Sequence, residues 1–176
     1  MKPLTQNQIQ NICGTNSGTI QGLNCNIVTD YQFGSYTGLW QLGQQASGNY
    51  FDQILQLDML VNDIQTTVFN FFVNSLSVPI TNAGATLIQN LIAQCCNRSQ
   101  QRGFIAQGVW QGATIGTGNS QIAPGDAFPL GYAIYMPSVQ TLSLQQIAKR
   151  QMPLATVCII EAGSANYQAI SIYVQP

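Results

Sequence analysis

The sequence predicts an α+β fold, in which a mixed or mainly antiparallel sheet packs against a long helix and a second, antiparallel helix. Three observations support it. Apolar residues recur every three or four positions from Asn49 to Phe72, and a second helical pattern follows from Thr81 to Arg102. Short apolar or alternating segments flank this helical region on both sides, and they are typical of strands.

The first helix lies in the stretch "NYFDQILQLDMLVNDIQTTVFNFF". Asp52 is near its start, where the helix dipole favours a negative charge. At 1.5 Å per residue the helix would extend over about 35 Å. We interpret it as a structural spine packed on the sheet and on the second helix. It is not a membrane span, because Asp52, Asp58 and Asp63 interrupt it. Its apolar stripe consists of Ile54, Leu57, Val61, Ile64, Val68 and Phe71.

The second helix has clear start and stop signals. Pro79 ends the first helical region, Thr81 can cap the next, and Gly103 follows as a stop. The short connection predicts that the two helices pack antiparallel. Cys95 and Cys96 are adjacent on this helix, so we expect at most one of them to face the core.

We predict one domain over residues 1–176. Within it, residues 1–48 are strands and loops, 49–103 form a two-helix hairpin, and 104–176 are strands with a short helix that Ser143 caps. The best strands are "LATVCIIEA" and "NYQAISIYV", which the loop 163–165 joins as an expected hairpin.

The surface is unusually poor in charge. Only 6% of the residues are charged, whereas ordinary soluble domains have about 25%. Polarity comes from 24 Gln and 14 Asn, and the net charge is −1. Such a surface repels copies of itself weakly and suits a protein packed against its own copies. A lineage bias toward amide residues is an equally good explanation.

Composition argues against several classes of function. The chain has no histidine and no C-x-x-C pair, so the usual general base and the usual metal ligands are missing. We therefore predict no enzyme, no catalytic or metal site and no cofactor. The five cysteines are expected to be reduced apolar side chains. Basic residues form no patch for nucleic acid, and neither a signal peptide nor a run long enough to span a membrane is recognised.

Other candidate features have ordinary explanations. "GATIGTG" lacks the lysine of a nucleotide-binding loop and is better explained as a surface loop. Glu161 is a lone carboxylate on a predicted strand. Trp40 and Trp110 could line a carbohydrate site, although tryptophans more often lie in a core or an interface. Lys149 and Arg150 form a basic pair that is either a solvated helix end or a contact to an acidic partner.

The order of several motifs resembles a family of phage and prophage contractile-tail sheath proteins, long known only as a domain of unknown function. The first helix resembles the family pattern G-x-x-F-D-E-I-x-x-x-D-W-L-Q-x-x-V-Q-T-D-V-[FY]-N-L-L. "LNCNIV", "VPITNAG", "GFIAQGVW" and "GDAFPLGYAIYMPSV" resemble further family motifs, as does the ending from "RQMPLATV". Met59 stands where the family has Trp, and Asn166 stands where it has His. The chain resembles the C-terminal, inner part of these proteins.

The resemblance implies a virion structural protein that assembles in the bacterial cytoplasm and becomes part of the tail. Its expected partners are other copies of itself in stacked hexameric rings, the tail tube protein and baseplate proteins. Lys149 and Arg150 are the expected tube contacts. The terminal strand would pair with a neighbouring subunit, although an internal hairpin is the alternative. Its expected interface residues are Ile170, Ile172, Tyr173 and Val174.

Two other classes of function stay open. The chain could be a different self-assembling tail protein of the tube or baseplate, which would share the self-association but not these motifs. It could also be a carbohydrate-binding module of the virion that uses Trp40 or Trp110.

Overall fold

A computed structural model describes residues 4–14, 22, 23, 25–29, 38–41, 43–163, 165, 168 and 171. The chain divides into two compact units, Met1–Leu55 with Ser164–Pro176, and Gln56–Gly163. The described elements are short helices, two long helices and short antiparallel strands, which confirms the α+β class.

The first unit contains helix α1 (Gln6–Cys13) and the antiparallel strands β1 (Ile27–Thr29) and β2 (Leu39–Gln41). Helix α1 was not predicted. It begins with a capping box, in which the Thr5 hydroxyl accepts from the Gln8 amide and the Gln8 side chain accepts from the Thr5 amide. Such a box compensates for the missing hydrogen bonds at a helix start. The letters T-x-x-Q were the signal that could have revealed this helix.

The predicted helices are present as α2 (Phe51–Asn74) and α3 (Asn82–Gln101). The expected cap is confirmed, since the Thr81 hydroxyl accepts from the Gly84 amide at 3.2 Å. Contacts join Asp63 to Arg98 and Thr67 to Cys95. Residue numbers rise from Asp63 to Thr67 along α2, whereas the numbers of their partners fall from Arg98 to Cys95 along α3. The two helices therefore run antiparallel.

The strands of the second unit form small antiparallel pairs. Strand β3 (Gly108–Val109) pairs with β4 (Ala127–Phe128), and β5 (Tyr132–Tyr135) pairs with β6 (Thr156–Ile159). Helix α4 spans Leu144–Ala148, and Ser143 caps it as predicted. Strand β6 is thus paired with β5, whereas most of its predicted hairpin partner, "NYQAISIYV", lies outside the described residues.

Helix α3 is the centre of the larger core. Its residues Ile88, Ile92, Cys95 and Cys96 pack with Leu60 of α2 on one side and with partly buried residues of β5 and β6 on the other. A second cluster contains Ile122, Phe128 and Cys158.

The expectation that at most one of the adjacent cysteines faces the core is wrong. Both Cys95 and Cys96 have no exposed surface. The Cys95 thiol donates to Thr67 of α2, while Cys96 lies near Tyr132 of β5. A helix covered on two sides can bury neighbouring residues that point in different directions. All cysteines in the described residues are free thiols.

Candidate interaction surfaces

Much of the apolar surface of α2 remains open to solvent. Leu60, at 3% exposure, is the fully buried residue of this helix. Leu57 and Val61, two residues of the predicted apolar stripe, are exposed, so the packing of α2 does not cover the stripe at these positions. The residues of α2 that pack in the core cluster are Leu60 and, partly buried against it, Ile64, Val68 and Phe71.

The last two turns of α2 carry strongly exposed apolar side chains. Phe69 is 66% exposed and Phe72 is 44% exposed, although both are large aromatic side chains. Val73 is also exposed, and Leu76 in the following turn is fully exposed. A group of exposed apolar side chains on one element is typical of an interaction site, whereas scattered single ones are normal.

Beside these aromatics lies an apolar groove of about 740 Å³ within the second unit, which we call the α2 groove. Helix α2 forms one wall, α3 lies at its base, and segments around Met136 and Met152 form the other wall. No acidic or basic residue is among the described residues that line it. Methionine suits such a surface because its flexible thioether adapts to different partners. Residues that define the groove are Val68, Phe69, Phe72, Ile88, Met136 and Met152.

Asp63 of α2 and Arg98 of α3 belong to a polar network that joins the two helices. Arg98 Nη2 lies 3.1 Å from Asp63 Oδ2, and Arg98 also donates to Cys95 Sγ at 3.2 Å. The hydrogen bond to Asp63 raises the pKa of the Arg98 guanidinium above its already high value. Asp63 is therefore part of the helix pairing rather than of a catalytic set.

Burial also changes the thiols of the core. It raises the pKa of Cys96 from 9.0 to about 11, and the neighbouring Cys95 adds to this rise. Burial likewise raises the pKa of Cys158. A raised pKa keeps a thiol protonated and unreactive, so these side chains behave as apolar packing residues.

Helix α4 presents the predicted basic pair. Lys149 and Arg150 are adjacent, and every residue from Ser143 to Gln151 is exposed. Leu144, 85% exposed, and Ile147 are apolar side chains on the same short helix. Exposed apolar side chains therefore lie close in sequence to the two basic residues. The sequence analysis did not predict this apolar surface.

Arg150 has an unusual backbone conformation, with φ at 55°. Its amide donates to the Ile147 carbonyl, and the next amide donates from Gln151 to Gln146. This is the hydrogen-bond pattern of a Schellman helix end, in which glycine is the usual residue at the left-handed position. An arginine there costs free energy in backbone conformation.

The predicted interface residues Ile170, Ile172, Tyr173 and Val174 lie outside the described residues. The same holds for the side chain of Trp40. Their roles stay predictions.

The other candidate residues of the sequence analysis make packing contacts or hydrogen bonds within the fold. The Trp110 ring stacks on Phe128, with 5.5 Å between centroids, and its Nε1 donates to the Ala113 carbonyl. Asp126 accepts from the Ala123 amide and stabilises a turn. Glu161 is exposed and makes an isolated bridge with Ile105.

The loop that contains "GATIGTG" takes part in packing. Ile115 and Ile122 bridge its two sides, and Gly116 lies against the ring of Tyr135. Within the described residues, no group of three potential ligands is close enough to hold a metal ion. No described helix has the length and hydropathy needed to cross a membrane.

Exposed apolar residues on a long helix, a groove without charge beside them and an exposed basic segment are features typical of structural domains that contact other protein chains. Residues 51–174 match the family model described as "E217 tail sheath protein gp31-like, C-terminal domain", and the chain belongs to this family. The match begins at the first residue of α2 and confirms the resemblance to the C-terminal part of a sheath protein. A search of curated proteins finds no match.

Membership of this family gives the chain a structural role in a phage tail sheath, and it makes the chain a component of the virion tail.

Proposed function

We propose that the protein is a subunit of a contractile tail sheath, which polymerises around the tail tube and drives the tube forward on contraction. The single observation that carries this proposal is the family match over residues 51–174, which spans both long helices and the strands behind them. The chain would be the inner, C-terminal part of the subunit, as one domain over residues 1–176.

The surface chemistry supports self-assembly. Residues 64–97 contain no Asp, Glu, Lys or Arg, and α2 carries exposed apolar side chains, among them Phe69 and Phe72. Surfaces of this kind gain free energy when two copies cover them, and no like charges oppose the approach. Assembly would need no cofactor and no bond chemistry, in keeping with a structural protein rather than an enzyme.

Two further contacts belong to this proposal. The uncharged terminal segment that contains Ile170, Ile172, Tyr173 and Val174 would add a strand to a sheet of an adjacent subunit, because an unpaired strand edge is a template for another chain. Lys149 and Arg150 would contact an acidic surface of the tube. Both residues are exposed directly after α4, which leaves their side chains available for it.

On contraction, subunits would exchange one set of interfaces for another while each domain keeps its internal packing. Packed cores move as rigid bodies and interfaces take discrete arrangements. The ion pair between α2 and α3 would help to keep the helix pair intact during this change.

Electron microscopy of the purified protein, alone and mixed with a tail tube protein of the same phage, tests the proposal. The expected result is regular sheath around the tube, and loss of this polymer when residues 169–176 are deleted. A protein that binds no tube and forms no ordered polymer would contradict it.

A further inference from the structure

Two cysteines of the first unit, Cys13 and Cys25, lie where α1 meets the segment that leads into β1. Cys13 is the last residue of α1, and Cys25 comes two residues before β1 begins. Both are free thiols, and Cys13 is partly buried whereas Cys25 is exposed. The other three cysteines, Cys95, Cys96 and Cys158, are buried in the second unit. Cys13 and Cys25 are therefore the thiols that a dissolved reagent can reach.

Backbone contacts bring the two segments together. The Leu23 amide donates to the Ile12 carbonyl at 2.8 Å, and a methyl group on Gly22 would lie 2.6 Å from the Cys13 carbonyl oxygen. Gly22 is thus beside the end of α1, and Leu23 is beside the preceding helical residue. The segment therefore runs back along the helix, and Cys25 follows two residues after Leu23, nearer to the helix start.

The side chains of the two cysteines are directed to the same place. In an α-helix each Cα–Cβ bond tilts toward the N-terminus, so the Cys13 thiol leans along the path that Cys25 follows. The Cys25 Sγ donates to the Leu23 carbonyl at 3.4 Å, which turns the thiol back toward α1. Burial raises the pKa of the Cys13 thiol, and the nearby Cys25 raises it further. One thiolate acts on another in this way only at short range.

Cys25 is also held from its other side. The Asn26 side chain donates to the Gln44 carbonyl and accepts from the Gln44 amide, both at 2.7 Å. Cys25 therefore lies between two fixed neighbours, Leu23 on α1 and Asn26 on the segment that follows β2. Two groups held near each other in this way react as if each were at a high local concentration.

We propose that Cys13 and Cys25 form a disulfide when the chain meets an oxidising solution, and that this bond ties α1 to the segment before β1. The oxidant is a small-molecule disulfide, for which glutathione disulfide is the probe. The Cys25 thiolate attacks one of its sulfurs, the S–S bond breaks, and one glutathione thiolate leaves and takes up a proton. The Cys13 thiolate then attacks the Cys25 sulfur and releases the second glutathione. The two protein thiols thus lose two electrons and two protons, which convert glutathione disulfide into two glutathione thiols.

A component of the virion tail would meet such a change of environment. The host cytoplasm keeps thiols reduced, whereas disulfides form and persist outside the cell. The bond would therefore form after release of the virion and stabilise the first unit there, because it restricts the unfolded chain. The pairing itself does not depend on the proposed function, since both cysteines belong to one chain.

Equilibration of the reduced chain with glutathione and glutathione disulfide tests the pairing. After free thiols are alkylated, cleavage at Leu23 separates the two cysteines, so mass spectrometry identifies the two peptides that a disulfide joins. The same mixture is applied to the chain unfolded in urea, where only the length of the intervening loop keeps the thiols near each other. We expect the ratio of disulfide to dithiol to be at least about tenfold higher in the folded chain, because a bond that stabilises the fold is itself stabilised by the fold.

Cys25→Ser is the control variant, because it replaces an exposed thiol with a hydroxyl group of similar size. It should form no disulfide within the chain, and its helix content by circular dichroism should equal that of the original chain.

Equal ratios in the folded and the urea-unfolded chain would mean that the fold does not hold the two thiols together, and would overturn the inference. A folded chain that forms only mixed disulfides with glutathione, or only bonds between chains, would overturn it as well. Neither result bears on sheath formation, which electron microscopy of the reduced protein decides separately.

Discussion

Arg98 on α3 and Asp63 on α2 form an ion pair, with 3.1 Å between Nη2 and Oδ2. The two side chains are 41% and 29% exposed, so water screens their attraction. Arg98 also reaches Thr67 and Cys95, and it thereby connects the charged pair to the buried thiol. This cluster is a polar link between the two helices.

Removing the pair should have a modest effect on stability. We expect Arg98→Met to lower the free energy of unfolding by about 1 kcal/mol, because a half-exposed pair contributes little and the hydrogen bonds add to it. A double-mutant cycle with Asp63→Asn in urea denaturation measures the coupling, and Arg102→Met is the control for an exposed arginine near the end of the same helix. A coupling energy of zero would contradict the link.

The stability of the protein should fall in alkaline solution through Cys96. In the unfolded chain this thiol ionises near 9.0, whereas in the fold it ionises at about 11. The unfolded state therefore loses its proton first, so the contribution of this group is fully present below pH 9 and is lost as pH rises to 11. The expected loss is up to about 2 kcal/mol.

Urea denaturation between pH 8 and pH 10.5 measures this effect. The pH dependence should be smaller in Cys96→Ala than in the original chain, because the titrating group is absent. Equal slopes in the two proteins would show that Cys96 does not cause the change.

Substitution by alanine should lower the free energy of unfolding by different amounts at two glycines of one loop. Both Gly116 and Gly118 have positive φ, at 83° and 73°, so each substitution costs about 1 kcal/mol in backbone strain. At Gly116 the new methyl group would also overlap the ring of Tyr135, whereas the space at Gly118 is open. We expect about 2–4 kcal/mol for Gly116→Ala and about 1 kcal/mol for Gly118→Ala, by urea denaturation. Equal losses would mean that Tyr135 moves away freely.

Reversing the basic pair of α4 should weaken binding to the tube. The double variant Lys149→Glu with Arg150→Glu should bind at least about tenfold less tightly in co-sedimentation, since like charges would then face an acidic partner. Arg150→Gly removes one charge and relieves the strained backbone, so it should weaken binding less while raising stability slightly. Arg102→Glu, which reverses the charge of another exposed arginine, is the control. Unaltered binding of the double variant would exclude Lys149 and Arg150 as tube contacts.

The helices were predictable because their signals are local. The three-four spacing of α2, the Thr81 cap and the Ser143 cap depend only on neighbours in sequence, and each appears where it was expected. The short helix α1 was missed because five of its eight residues are amides, and because its apolar residues Ile9, Ile12 and Cys13, although at helical spacing, cover little more than one turn. The pairing of β6 with β5 was missed because it joins residues distant in sequence.

The sequence by itself therefore determined the fold class, the two long helices and the family to which the chain belongs. The tertiary structure decided which side of each helix is covered. Periodicity identifies an apolar face, but only the position of a neighbour buries it. With α3 in the centre, both Cys95 and Cys96 become inaccessible to solvent, while Phe69 and Phe72 of α2 stay open beside a groove.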